Sequence, residues 1–397
     1  MAGEMKDSGV EWIGEIGIHF RVVKLKHVCT ILDQFRKPVT ADQRNQEGEI
    51  LYDYYGASGI IDKINGYTID DHVMLIGEDG ANLKMRNLPI MYEVNGKAWI
   101  NNHAHILKPK KGLDFYYLFF ALEAIDITPY ITGSAQPKLS QENMKNILLP
   151  VPNISIQKEI VRCIKSTCNE LNNILVKTRA SIEEYKKLKQ AVITQAVTKG
   201  VRGDREMKDS GIEWIGYIPS TWIIKKAKYC VLLYNGSNPK TDGDIPVYGS
   251  GMDSFKTCGE FKEGPTVLIG RKGATLHIPH YITGKYWNVD TAFDTRVKSG
   301  FNLKYYYYLA CSFDYKYYIS QTTLPSMTQS NYVNMLLPCP DYDEQVHIVE
   351  YLDNKCNKID ELINDKQNQL DALGEYKKSL IYEYVTGKKE VPPPYKA

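Results

Sequence analysis

Methyl transfer to an exocyclic amine needs an Asp or Asn followed by two prolines and an aromatic ring. The side chain and the neighbouring carbonyl then accept from the target amino group. Two strings in this 397-residue chain come near that pattern: "DITPY" (Asp126–Tyr130) lacks the adjacent proline pair, and "VPPPY" (Val391–Tyr395) lacks the acid or amide. "IGRKGAT" does not have P-loop spacing, and no Gly-rich strand-to-helix fingerprint for a nucleotide-like cofactor occurs. Serine, histidine and acid combinations sit in no nucleophile motif. Eight cysteines are scattered without a CxxC pair, Cys163 and Cys168 being the closest. Neither a zinc cluster nor a disulfide framework is indicated, and free buried thiols are expected. These residue types point away from catalysis by this chain and toward binding.

Composition agrees with that direction. A mixture of 43% hydrophobic and 24% charged residues is that of a globular protein, with length for about two to three domains. No apolar run approaches the roughly 18 to 20 residues of a membrane span, and "MAGEMKDSG" has neither the basic start nor the apolar stretch of a signal peptide. A cytoplasmic protein is expected. The formal net charge of +2 hides an uneven distribution: residues 219–338 carry 13 Lys and Arg against 8 Asp and Glu, whereas residues 19–150 carry 15 of each.

The elements that must position any binding residues are given by a repeat. "MKDSGVEWIGEIG" (Met5–Gly17) returns as "MKDSGIEWIGYIP" (Met207–Pro219), with Trp12 over Trp214 at an offset of 202. "YYGASGI" (Tyr54–Ile60) matches "VYGSGM" (Val247–Met252), and "LIGEDGANL" (Leu75–Leu83) matches "LIGRKGATL" (Leu268–Leu276), both at 193. Trp99 over Trp287, Pro137 over Pro325, "LLPVP" (Leu148–Pro152) over "LLPCP" (Leu336–Pro340) and Gln157 over Gln345 all give 188. Each half therefore has a part whose length drifts and a part whose length is held.

The drifting part reads as mixed, β-rich structure closed by a short helix, "DFYYLFFALEAI" and "LKYYYYLACSF", whose aromatics form a packed face. The fixed part is a long helix. Its apolar or small positions are Ile160, Ile164, Cys168, Leu171, Leu175, Thr178, Ile182, Tyr185, Val192 and Ala196, with one gap at Lys189. The second half repeats the stripe at Ile348, Leu352, Cys356, Ile359, Ile363, Lys366, Leu370, Leu373, Leu380 and Tyr384. Alternating spacings of four and three over about five heptads mark helices that pack along a seam. From Ser155 to Thr198 such a helix extends about 66 Å at about 1.5 Å per residue.

Two copies of a globular domain and a long helix, related by a pseudo-two-fold axis, must run their helices antiparallel with the globular domains at opposite ends. The boundaries read as a first recognition domain over 1–152, a first long helix over 153–206, a second domain over 207–340, and a second helix with its tail over 341–397. The end of the second helix should then lie beside the first "MKDSGVEWIG", making "EWIG" a docking segment with a buried tryptophan. The fold class is α+β: two mixed α/β domains separated by two long antiparallel helices in a coiled coil.

"SGIEWIGYIPSTW", "YGASGI", "LIGRKGATL", "TGSAQPKLSQENMKNILLPVP" and the glutamines of "SIQKEI" and "DEQVHIV" together resemble the specificity subunit of Type I restriction-modification systems, over roughly residues 5–388. The first half departs from the pattern, with Phe20 and Gly17 over Trp222 and Pro219, and Glu78 and Asp79 over Arg271 and Lys272. The resemblance implies a non-catalytic DNA-recognition subunit. Each variable domain reads one half of a split double-stranded target, and the helices set the spacer. Two methyltransferase subunits dock on the helices and restriction/motor subunits join them, so S-adenosylmethionine, ATP and Mg belong to those partners. The alternatives are a DNA adenine methyltransferase with its own recognition domain and a coiled-coil scaffold that never touches DNA.

Base reading calls for Arg or Lys on guanine and Asn or Gln on adenine, with further groups on phosphates. In the loops around the shared motifs the first domain offers Lys63, Lys84, Arg86, Asn101, Asn102, His103, Gln136 and Lys138. The second offers Ser250, Lys256, Arg271, Lys272, Thr275, His277, Thr291 and Thr323. Gly56, Gly59, Gly249 and Gly251 are expected in tight turns, and the acidic pair Glu78 and Asp79 is expected to be exposed.

Overall fold

A computed structural model describes residues 4–44, 50–251, 253–315, 318–319 and 325–391. Thr323, Met252 and the Pro392–Tyr395 part of "VPPPY" lie outside the described residues. The chain divides into two units, Met1–Lys177 with Gln369–Ala397, and Thr178–Asn368. Each unit therefore contains one globular domain and parts of both long helices.

In the first unit a six-stranded sheet runs Cys29–Ile31, Ala104–Pro109, Ile69–Gly77, Met91–Ile100, Tyr52–Gly56 and Gly59–Ile64 from edge to edge. The central strand Ile69–Gly77 buries Val73 through Ile76 on both faces, so its run is continuously apolar rather than alternating. Gly59 opens the last strand of the hairpin at φ +95°, where a Cβ would meet the Tyr92 ring, so this turn requires glycine. In the second unit the counterpart is split into two four-stranded sheets. One of them pairs Val231–Asn235, Ala292–Val297, Thr266–Gly270 and His280–Ile282.

The aromatic runs form short helices at Phe115–Ala124 and Leu303–Ser312, capped by the side chains of Asp114 and Asn302. Tyr117 and Leu118 in one, and Tyr305, Tyr306 and Tyr308 in the other, are buried. The Pro-containing strings that follow are strands, Leu148–Val151 and Leu336–Cys339, each paired antiparallel to a strand near the start of its own domain.

The long helices are Ile154–Lys199 and Tyr342–Thr386. In the first turn of each, a Gln serves as a bracket. Gln157 accepts from the Asp114 amide at 2.8 Å and donates to the Pro152 carbonyl at 2.9 Å; Gln345 accepts from the Asn302 amide at 2.8 Å and donates to the Pro340 carbonyl at 3.0 Å. One side chain thus ties the short-helix cap to the strand exit.

Within each unit the two helices run antiparallel. In the second unit Lys189 meets Asp360 at 2.6 Å and the Lys366 ammonium lies over the Tyr185 ring. In the first, Lys377 donates to Asn172 at 2.9 Å. Lys189, the gap in the stripe, is therefore an inter-helix ion-pair position. Ile160, Ile164, Leu171 and Ile182 of the first helix, and Ile348, Leu352, Ile359 and Leu370 of the second, are buried, while Leu175 and Ile363 are half-buried. In the first unit Ile160 and Ile164 share a core with Leu380 and Val385. In the second, Ala196 and Val197 share one with Ile348 and Leu352.

The "EWIG" segments pack on the helix ends, through a different residue than expected. Ile13 and Ile215 are the buried anchors; Trp12 and Trp214 are half-buried and set ring edges against Tyr130 and Phe313. The Ile13 carbonyl accepts from the Tyr382 hydroxyl at 2.9 Å, so the N-terminal segment and the end of the second helix meet in the first unit.

Candidate nucleic-acid interface

Both domains build the same backbone corner from three loops. In the first domain the Glu78 amide donates to the His103 carbonyl at 2.8 Å, the Leu139 amide to the Glu78 carbonyl at 2.7 Å, and the Gly80 amide to the Pro137 carbonyl at 3.0 Å. In the second, Arg271 donates to Thr291 at 2.7 Å, Met327 to Arg271 at 2.9 Å, and Gly273 to Pro325 at 3.0 Å. Isolated bridges Asp79–Lys138 and Lys272–Ser326 complete the match. These corners gather Asn102, His103, Gln136 and Lys138 in one domain, and Arg271, Lys272 and Thr291 in the other. Asn102, His103, Gln136 and Lys138 are exposed, as is Lys272.

The acidic pair in the first corner is not simply exposed. Glu78 is 12% exposed and is bound by the Arg36 guanidinium and, at 3.2 Å, by Lys138; Asp79 holds His103 at 2.7 Å. Beneath them His105, 1% exposed, faces Asp33 through Nδ1 at 2.7 Å and the Leu139 carbonyl through Nε2 at 2.8 Å. Asp33 also takes Gln141 at 2.9 Å and Arg36 at 3.3 Å. Burial alone raises the carboxyl pKa of Asp33, but hydrogen bonds from His105 and Gln141 outweigh it and hold the group below its ordinary value. Glu78 is held low in the same way, burial being outweighed by Arg36, His105 and Lys138. Sequence reasoning missed Arg36, Asp33 and His105. They stand far along the chain from Glu78, and the pairing of Ala104–Pro109 with both Cys29–Ile31 and Ile69–Gly77 brings them together.

Other candidates fall elsewhere. Both terminal nitrogens of Arg86 are committed, Nη1 to the Glu123 carbonyl at 3.1 Å and Nη2 to the Ile125 carbonyl at 2.7 Å, which makes it an internal tie rather than a free reader. Burial lowers the pKa of this guanidinium. Arg86 in the first domain and His277 in the second line grooves against the long helices, beside Lys165 and Lys377 in one unit and Asp353 and Lys186 in the other. Asn101 is buried and accepts from the His103 amide at 2.7 Å, a turn-forming role. Lys63 pairs with Asp53 at 3.0 Å on the outer hairpin, and Lys84 reaches the Gly133 carbonyl at 3.4 Å. Lys256 lies beside the Phe255 ring, the Thr275 carbonyl caps the turn to Ile278, and Ser250 sits against Gly273. Gly249 has its constraint from Thr291, whose Oγ1 a Cβ would press at 2.8 Å.

Among the described residues no group of three or more His, Cys, Asp or Glu is arranged to hold a metal ion, and no helix is long and apolar enough to cross a membrane.

Comparison with known proteins matches residues 18–184 and 227–372 to the model of the Type I restriction modification DNA specificity domain. A protein named as a type I restriction enzyme specificity subunit in Haemophilus influenzae is 36% identical over 140 residues, a stretch that spans 35% of each chain. The Type I restriction enzyme MjaVIII specificity subunit of Methanocaldococcus jannaschii is 23% identical over 312 residues, 70% of this chain and 71% of that relative. Among solved structures, a chain from work on complex assembly and conformational transition of the type I R-M system superposes with a TM-score of 0.71 at 13% identity, over 94% of this chain and 99% of that one. The HsdS subunit from Thermoanaerobacter tengcongensis gives 0.51 at 14% identity, over 94% and 98%. At such identities the structural likeness speaks for the fold.

Proposed function

From a chain that belongs to the Type I restriction modification DNA specificity family, we infer a non-catalytic, sequence-specific DNA-binding subunit whose two domains, residues 1–152 and 207–340, each read one half of a bipartite target. It works within a complex with the other restriction-modification subunits and DNA. The observation that carries this reading is the duplicated corner: one backbone arrangement, bonded through the same three amides, presents His103, Gln136 and Lys138 in one domain and Arg271, Lys272 and Thr291 in the other. A constant frame with exchanged side chains is what two readers of different half-sites require.

The helices Ile154–Lys199 and Tyr342–Thr386 act as the spacer and as the seat for two modification subunits. Their fixed length, against loops that drift by several residues, supports this role. Two readers on one duplex need a set separation, which loop insertions leave untouched and helix insertions change.

The test is to co-express the chain with its cognate methyltransferase subunit and map methylated bases genome-wide by single-molecule sequencing. A two-part motif with a fixed unspecified gap is expected. A purified complex that leaves no such motif would overturn the reading.

A further inference from the structure

The two corners share a backbone and differ in every charge. A side-chain contact sets Asp33 against His105, and strand register sets Asn235 opposite Phe293. The bridges and amide bonds set Glu78 over Arg271, Asp79 over Lys272, and Lys138 over Ser326. Buried anions and their cations in the first domain thus give way to an amide, an aromatic ring and two cations in the second.

The consequences differ in kind. In the first domain each carboxylate already has a protein partner: Asp33 and Glu78 share Arg36, Glu78 takes Lys138, and Asp79 takes His103. His105 fills the space beneath, with acceptors at both ring nitrogens. That corner is balanced internally. In the second domain the same place is a cavity of about 250 Å³ lined by Asn235, Arg271, Lys272 and Phe293. Among the described residues neither Arg271 nor Lys272 has a carboxylate partner. The Arg271 guanidinium lies 5.8 Å from the Phe293 ring centroid, and its Nη1 reaches the Asp290 carbonyl at 3.5 Å. An aromatic plate and one carbonyl restrict the guanidinium while leaving most of its five donors for a ligand. Lys272, exposed at the rim, is a compact point charge suited to phosphate.

We propose that this corner of the second domain reads a guanine, Arg271 donating to its N7 and O6 while Lys272 holds a neighbouring phosphate, and that the matching corner of the first domain, its charges already paired within the protein, makes no such charged base contact. The proposal rests on the DNA-specificity reading above. It adds an asymmetry that the repeat alone hides: the charged base contact belongs to the second half-site.

The experiment uses the chain assembled with its modification subunits and duplexes carrying the mapped motif, comparing wild type with Arg271→Ala, Arg271→Gln and Lys272→Ala. Both Arg271 variants should lose discrimination at one guanine in one half of the motif and bind the cognate duplex about ten- to a hundredfold more weakly. Lys272→Ala should weaken all sequences alike and make the slope of log K against log salt shallower by about one. An unchanged other half of the motif shows that the variant is folded and assembled, and Arg271→Gln keeps the side chain's bulk against Phe293. Variants with the wild-type motif and salt slope overturn the inference while leaving the DNA reading intact. A wild-type complex with no two-part motif removes the reading beneath it as well.

Discussion

The Tyr117 hydroxyl donates to the Val385 carbonyl at 3.0 Å, joining residues 268 apart in the chain. Its counterpart, Tyr305, donates to the Val197 carbonyl at 3.3 Å. The first domain is thus bonded to the end of the second helix, and the second domain to the end of the first. Each tyrosine also reaches the carbonyl of a strand proline, Pro150 at 2.6 Å and Pro338 at 3.1 Å. Burial pushes both phenols well above their ordinary pKa, so they stay neutral donors.

Tyr117→Phe keeps the ring and removes the donor, leaving two buried carbonyls unsatisfied. A loss of about 1–3 kcal/mol is expected, confined to the first unit, and Tyr305→Phe should do the same in the second. Denaturant unfolding followed by hydrogen exchange, which assigns the loss to a unit, checks this. A change below about 0.5 kcal/mol in both variants would mean that the carbonyls find other donors.

Gln345 offers a sharper reading, because Gln345→Glu keeps the acceptor facing the Asn302 amide and removes the donors facing the Pro340 and Gly300 carbonyls. A buried carboxylate against two carbonyl oxygens should cost about 2–3 kcal/mol at neutral pH. Protonation restores one donor. The deficit relative to wild type should therefore shrink as pH falls toward the carboxylate range, in thermal melts of the two proteins run side by side. A deficit that does not vary with pH would rule out the bracket's polarity as its cause.

What was legible follows from the range of each signal. The stripe of Ile160, Ile164, Leu171 and their partners at 188 is periodic, and the repeat doubles every observation, so helices and duplication could be read directly. Arg86 reads in the sequence as a DNA contact, but its role depends on the carbonyls of Glu123 and Ile125, at the end of a helix whose position relative to the loop no local pattern encodes. The Arg36–Glu78–His105–Asp33 group was invisible for a similar reason: its members come from three distant segments joined by strand register. In "EWIG" the sequence points to the tryptophan as the buried residue, yet Ile13 and Ile215 are the buried ones.

The same ionic group makes the first unit sensitive to acid. The carboxyl groups of Asp33 and Glu78 have folded pKa values below their ordinary 3.8 and 4.5. A depressed carboxylate stabilises the fold only while ionised, so this contribution is complete above the ordinary range and is lost as pH falls through the lowered values. The positions of Asp33 and Glu78 hold Asn235 and Arg271 in the second unit. Hydrogen exchange below about pH 4 should show the first corner opening before the second. Asp33→Asn should be less stable than wild type at neutral pH and should flatten the acid dependence. Simultaneous opening of both corners would contradict this assignment.

The spacer can be tested where the helices allow it. Inserting one heptad after Arg179 alone would put the stripe out of step with its antiparallel partner. A matched insertion after Arg179 and after Gln367, its equivalent 188 residues later, preserves the pairing of apolar positions. If helix length sets the separation of the half-sites, the paired insertion adds about 10 Å at about 1.5 Å per residue, or about three base pairs of B-DNA. Methylation mapping should then return both half-motifs unchanged with a longer gap, or no methylation if the duplex cannot be followed at that length. An insertion of two or three residues in a loop of either domain serves as the control, because it should leave the gap as it was. The same gap after the paired heptad would show that the distance is set outside the helices, and the constant offset would then need a different cause.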